Sequence, residues 1–138
     1  MSFPIQAKCQ CGKTGYTLHS KPMVVYACHC KECQRLSTSP FSVTAFVNSN
    51  DVEFFGEMLE WNRPADSGNR NHAKFCASCG NRIYHFNPKV PERRALKLKP
   101  VDMVDDSIFQ PQAHVWVSEK LSWVPLPEDI PRFDQQLT

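Results

Sequence analysis

Seven cysteines in a chain of 138 residues constrain what it can fold into more than any other feature. They stand in three tight groups: Cys9-Gln10-Cys11, then Cys28-His29-Cys30-Lys31-Glu32-Cys33, then Cys76-Ala77-Ser78-Cys79-Gly80. Such a chain is stapled either by disulfides or by metal. The count is odd, and Met1-Ser2-Phe3-Pro4 lacks the basic segment followed by an apolar one that marks an export signal. Cysteines one or two residues apart seldom pair with each other outside redox motifs, yet they converge readily on one ion with Zn–S bonds of ~2.3 Å. The spacing therefore points to zinc. Four thiolates close a tetrahedral site, whereas three leave a position for water or substrate. Two pairs and a triplet suggest two zinc ions per chain, one site closed and one open. The partition favoured here is Cys9, Cys11, Cys76 and Cys79 for the closed site and Cys28, Cys30 and Cys33 for the open one. Spacing alone does not force it, since the triplet can also borrow Cys76. A Cys₄ iron protein is a further reading, because iron accepts tetrahedral thiolates too.

The remaining composition sets the class. The length fits a single domain spanning residues 1–138. A hydrophobic share of 41% is that of a globular chain, and no apolar run approaches the ~20 residues of a membrane helix. A cytoplasmic location is the expectation. The formal charge of +2 is too small for a nucleic-acid binder, and seven thiolates holding two divalent ions turn it to −1.

The segments between the cysteines read as short strands, predicting a mainly β fold of several small antiparallel sheets stacked around zinc-knuckle loops, with little helix. Residues 16–18 and 23–26 are short and β-prone. Residues 41–47 place apolar side chains at 41, 43, 45 and 47, a period of two. Residues 82–86 and 95–99 alternate as well, and residues 114–117 form a last strand. Residues 52–55 and 58–61, separated by Gly56-Glu57, suggest a hairpin. Eleven prolines argue against long helices; only residues 32–36 and 101–109 have room for a turn or two. The proline-containing tail after Trp123 is expected to lie extended over the surface. Cys76-Ala77-Ser78-Cys79-Gly80 has the form of a zinc knuckle, whose sharp turn aims backbone N–H groups at sulfur.

The order C-x-C, C-H-C-x-x-C, F-C-x-x-C-G resembles the glutathione-dependent formaldehyde-activating enzyme family, which includes centromere protein V. The residues that carry the resemblance are Cys9-Gln10-Cys11-Gly12, Cys28 through Arg35, and Phe75 through Gly80. Ser67-Gly68 matches the Ser-Gly before the last cysteine pair. His114-Val115-Trp116, Ser122-Trp123 and Pro131-Arg132-Phe133 match the closing segment. Thr38 departs from the pattern, standing where many relatives carry glycine. The resemblance implies a β-rich zinc fold, a structural zinc on Cys9, Cys11, Cys76 and Cys79, and a catalytic zinc on Cys28, Cys30 and Cys33. It also implies the chemistry: a zinc-dependent carbon–sulfur lyase acting on a glutathione or other thiol adduct of a small aldehyde, as in S-hydroxymethylglutathione formation. The alternative within the family is a non-catalytic zinc module that binds a protein partner. The implied partner for the enzyme is a small-molecule thiol adduct, with neither membrane nor nucleic acid.

Other residues have plainer readings beside these. His29, between two ligands of an extended segment, points away from the metal, which leaves open a place behind the ligands or in proton transfer. His72 reads as a surface residue, and His19, His85 and His114 show no ligand spacing. Lys31 and Arg35 flank the triplet, either as contacts for glutathione carboxylates or as an ordinary solvated pair. Arg93-Arg94 with Lys97 and Lys99 offers a basic patch, but the alternation with Leu96 and Leu98 reads instead as one solvated strand face. Trp61, Trp116 and Trp123 read as core and rim aromatics.

Overall fold

A computed structural model describes residues 3–64, 68 and 70–136. Ser67 of the Ser-Gly pair lies outside the described residues. The β-prone segments form β1 (Ile5–Lys8), β2 (Gly15–Leu18), β3 (Val24–Cys28), β4 (Ser42–Asn48), β5 (Val52–Phe55), β6 (Met58–Pro64), β7 (Arg70–Cys76), β8 (Arg82–Phe86), β9 (Arg93–Leu96) and β10 (Ala113–Val115). The α-helix among the described residues is short, α1 (Lys31–Ser37). The fold is mainly β with little helix, as the sequence suggests. Of the second helical candidate, residues 101–109, only the 3₁₀ turn Ser107–Phe109 forms. Among the described residues no helix is long and apolar enough to cross a membrane.

Strands β1-β2-β5 make a three-stranded antiparallel sheet, and β10-β3-β4-β9-β8-β7-β6 make a seven-stranded one. In the larger sheet β10 runs parallel to β3. A parallel neighbour requires a long crossover, and residues 97–112 supply it. The tail follows on: Pro131 and Phe133 exchange backbone hydrogen bonds with His114 at 2.9 Å, so the chain end lies against β10.

The expected hairpin between residues 52–55 and 58–61 does not form. β5 pairs with β2 and β6 pairs with β7, so the two strands belong to different sheets. Gly56 is the reason. Its φ of +91° swings the chain from one sheet to the other, and a Cβ there would lie 2.2 Å from the Lys13 carbonyl oxygen. The backbone passes too close to the β1–β2 loop for any side chain.

The core lies between the sheets. Tyr16, Leu18 and Val52 face Val25, Ala45, Val47 and Leu96 from the larger sheet. With a period of two, the alternate residues of the larger sheet occupy its opposite face. Tyr26, Thr44, Phe46, Ala95 and Lys97 stand there, on the floor of a cavity. The reading of Lys97 and Lys99 as a solvated strand face is therefore corrected. Lys97 donates to Thr44 Oγ1 at 2.6 Å, and Lys99 donates to the carbonyls of Val43 and Lys97. Alternation identifies a two-sided strand but not what covers its second side.

Helix α1 ends at Thr38, whose φ of 48° and ψ of 43° are left-handed. A β-branched residue is strained there, which accounts for glycine in the pattern the chain resembles. Thr38→Gly is expected to raise the unfolding free energy of the metal-loaded protein by about 1 kcal/mol, read by thermal and denaturant unfolding. A loss instead would mean that the Thr38 Oγ1 hydrogen bond to the Ser37 carbonyl outweighs the strain.

Candidate metal centres

The first cysteine group follows β1 and the third closes β7, and the fold brings them together. One ligand sulfur from each of Cys9, Cys11, Cys76 and Cys79 lies within 4.8 Å of the others. Cys9 Sγ is 3.6 Å from Cys11 Sγ, and Cys11 Sγ is 3.7 Å from Cys76 Sγ. Sulfurs at the corners of a tetrahedron with ~2.3 Å Zn–S bonds stand about 3.8 Å apart. The donor set therefore fits a single ion of that size, and all seven cysteines are free thiols. The loops behave as knuckles. Ser78 N and Cys79 N each donate to Cys76 Sγ at 3.4 Å, and Thr14 N donates to Cys9 Sγ at 3.4 Å. Gly80 has the φ of +79° that the return turn demands. The Asn81 side chain accepts from Gln10 N at 3.1 Å, lacing one loop to the other. Burial pushes the Cys9 thiol up, but hydrogen bonds from Thr14 and the neighbouring thiols prevail and bring it down to about 5.

The second group gives a different site. Cys28 ends β3 opposite Ser42, Cys30 caps α1 by accepting from Cys33 N at 3.3 Å, and Cys33 is buried in the first turn. Their sulfurs also lie within 4.8 Å of one another. Without a cation they compete for charge. Hydrogen bonds from Cys28 and Cys30 bring Cys33 down to about 2, while the hydrogen bonds with Cys30 and Cys33 drive Cys28 upward. A soft divalent ion resolves that conflict by letting every thiol ionise. The partition favoured from the sequence is the one the fold brings together, and Cys76 stands with Cys79.

His29 points away from the triplet. It is fully buried against Phe41, with Nε2 2.9 Å from His114 Nδ1. Burial brings His29 down to about 4 and His114 below its usual value, so two neutral rings share one hydrogen bond. Backbone bonds reinforce the link: His29 N donates to the Val115 carbonyl at 3.0 Å, and Lys31 N donates to Glu119 Oε1 at 2.8 Å. Residues 114–119 thus clamp the triplet loop. His72 is paired with Glu60 at 2.9 Å and stacks on Phe86.

All three triplet cysteines line a cavity of about 620 Å³ on the far face of the larger sheet. Among the described residues Lys31, Arg35, Arg63, Arg70, Arg93 and Lys97 line it, against the carboxylates of Glu32 and Glu119 alone. Lys31 and Arg35 are thus brought to the rim, where Arg35 pairs with Glu32. The sequence reading missed Arg63, Arg70, Lys97 and His85. The usable signal was the polar pair Ser42 and Thr44, which alternates with the apolar series in β4 and takes the Lys97 ammonium. Trp116 lines the cavity too. Trp61 and Trp123, at 49% and 70% exposure, are surface aromatics rather than core.

The model of the glutathione-dependent formaldehyde-activating enzyme family matches residues 4–119. The chain belongs to that family. Its matched segment holds both cysteine clusters and residues 114–119, which clamp the open one. No curated protein matches. A crystal structure of a Rhodobacter sphaeroides protein is similar in fold, with a TM-score of 0.56 at 16% identity, covering 75% of this chain and 93% of that one.

The two clusters differ in what they support. Cys9 and Cys76 pack within the core, whereas the triplet faces the cavity. Cys79→Ser is expected to abolish the cooperative thermal transition or lower it far more than Cys30→Ser, since metal bound by a structural cluster is folding free energy on the order of 10 kcal/mol. Equal losses, measured on metal-loaded proteins, would contradict this division.

Proposed function

We propose that this chain is a zinc-dependent enzyme of carbon–sulfur bonds, lyase in type, acting on a glutathione or other thiol adduct of a small aldehyde. The observation that carries the reading is the triplet of thiols facing a large cationic cavity. Cys9, Cys11, Cys76 and Cys79 would hold a structural zinc. Cys28, Cys30 and Cys33 would hold the catalytic one, in the three-ligand arrangement that leaves a position for substrate. A zinc ion there supplies one thing, the loss of the proton from a coordinating thiol.

The chain supplies the rest. Glutathione carries two carboxylates, and a cavity lined by six cations and two carboxylates attracts and orients such a molecule. Lys31 and Arg35 are rim contacts for those carboxylates in this reading. Lys97 is anchored on Thr44; burial pushes its ammonium below the usual range while the neighbouring Cys33 thiolate opposes that shift, so its charge is tied to that of the triplet. It stands on the cavity floor, and in this reading it would stabilise the negative charge that the oxygen of the adduct gains during addition. In the forward direction the sulfur–carbon bond forms, the carbonyl π bond breaks and the oxygen takes a proton. In reverse the same bond is cleaved.

Protein purified reduced with zinc present is expected to hold close to two zinc ions per chain by elemental analysis. One ion, with the triplet thiols freely titratable, would remove the open site. After cobalt replaces zinc, glutathione is expected to change the sulfur-to-metal charge-transfer bands, and S-methylglutathione to leave them unchanged. Equal binding of both without a spectral change would move recognition to the peptide ends. Binding of neither at millimolar concentration would abandon glutathione and favour the protein-binding module.

A further inference from the structure

Beside the main cavity lies a smaller chamber of about 200 Å³, sharing Glu32, Arg35, Arg63, Asn71 and His85 with it. Its distinctive residue is Arg82. On a regular strand residues 82 and 85 point to opposite faces, yet both line this chamber. A bulge brings them together. Between Lys74↔Tyr84 and Phe75↔Arg82 the register slips, leaving Ile83 as the extra residue of β8. Bulges re-aim side chains and are common beside functional sites.

The Arg82 guanidinium lies 5.8 Å from the centre of the Trp61 ring, and its Nη1 lies 3.0 Å from His85 Nε2. His85 is held neutral by burial, so its Nε2 accepts from Arg82. Of the other cations that line the chamber, Arg63 is 3.7 Å from Glu32, which also pairs with Arg35. Among the described residues Arg82 has no carboxylate partner. Three guanidiniums, Arg35, Arg63 and Arg82, line this half-enclosed chamber with the Glu32 carboxylate, which pairs with the first two; Arg82, unpaired and beside the Trp61 ring, is the one that forms a receptor for a planar anion.

Building on the proposed thiol-adduct chemistry, we propose that the side chamber is a carboxylate subsite for the electrophilic half of the substrate, so that the carbonyl compound accepted is an aldehyde acid. Formaldehyde has no group to place there. The chamber volume corresponds to several waters at ~30 Å³ each, enough for a carboxylate on a short carbon stem. The lining of the main cavity leaves Lys31 and Arg35, with Arg70 and Arg93, for the carboxylates of the thiol. With a two-carbon aldehyde acid, the thiol S–H adds across the carbonyl. The sulfur–carbon bond forms, the carbonyl oxygen takes the proton, and the carboxylate remains as the chamber's ligand.

The test uses two stable thioethers, S-methylglutathione and S-carboxymethylglutathione, titrated calorimetrically into the zinc-loaded protein. Neither can become a thiolate, so their ratio isolates the added carboxylate from metal coordination. The carboxymethyl compound is expected to bind at least tenfold more tightly, the advantage of one charge-assisted carboxylate contact. Arg82→Gln is expected to reduce that ratio to about one with little effect on S-methylglutathione. Arg63→Gln, on a different strand, is expected to reduce it in part and stands in should Arg82→Gln not fold. A ratio of one in the native protein overturns the subsite. Equal weakening of both thioethers by Arg82→Gln overturns its assignment to the electrophile and gives the chamber to a glutathione carboxylate. Should glutathione leave the cobalt bands unchanged while the ratio stays high, the thiol reading fails and the carboxylate subsite stands.

Discussion

The convergence of Cys9, Cys11, Cys76 and Cys79 is the constraint on which the rest depends. Four thiols gathered this closely cannot all ionise without a cation among them. With one, they become a cross-link between chain segments 65 residues apart, from Cys11 to Cys76. That link sits where the sheets meet: Cys9 follows β1 of the small sheet and Cys76 ends β7 of the large one. Gly56 repeats the join covalently by carrying the chain from β5 to β6. With the two sheets fixed to each other, one face of the larger sheet is committed to the core and the other is left for chemistry.

The triplet depends on a second, weaker frame. Cys28, Cys30 and Cys33 come from a strand end, a cap and a helix of seven residues, none of which holds its shape alone. Residues 114–119 and the tail hold it, through the His29–His114 pair and the bonds to Val115 and Glu119. His29 therefore helps to shape the site from behind rather than from within. Two neutral imidazoles suit that place, since a charged ring would be buried without a counter-ion.

The ligand grouping was legible because metal chemistry writes itself in short spacings: C-x-C and C-x-x-C bring sulfurs together whatever the fold does. The mainly β class was legible for a similar reason, since β-prone runs broken by proline leave little alternative. What the spacing could not show was long-range pairing. The Gly56-Glu57 turn reads as a hairpin locally, and only the close approach of the Lys13 backbone reveals a crossing between sheets. Lys97 reads as solvated because alternation is the same whether the polar face meets water or a cavity. Arg82 was beyond reach for a stricter reason: its direction is set by the bulge at Ile83, and a bulge is a fact about two strands together.

The alternation in β3, β4 and β9 has a consequence for how such a protein can change. Val25, Ala45 and Leu96 serve the core while Tyr26, Thr44 and Ala95, their neighbours in sequence, serve the cavity. A substitution on the cavity side leaves the packing between the sheets untouched, and a metal held by the four-cysteine cluster would secure the scaffold in either case. Binding preference and fold stability are thus written on opposite faces of the same strands. The cavity floor can drift toward a new ligand in single steps, each nearly silent to the core beneath it.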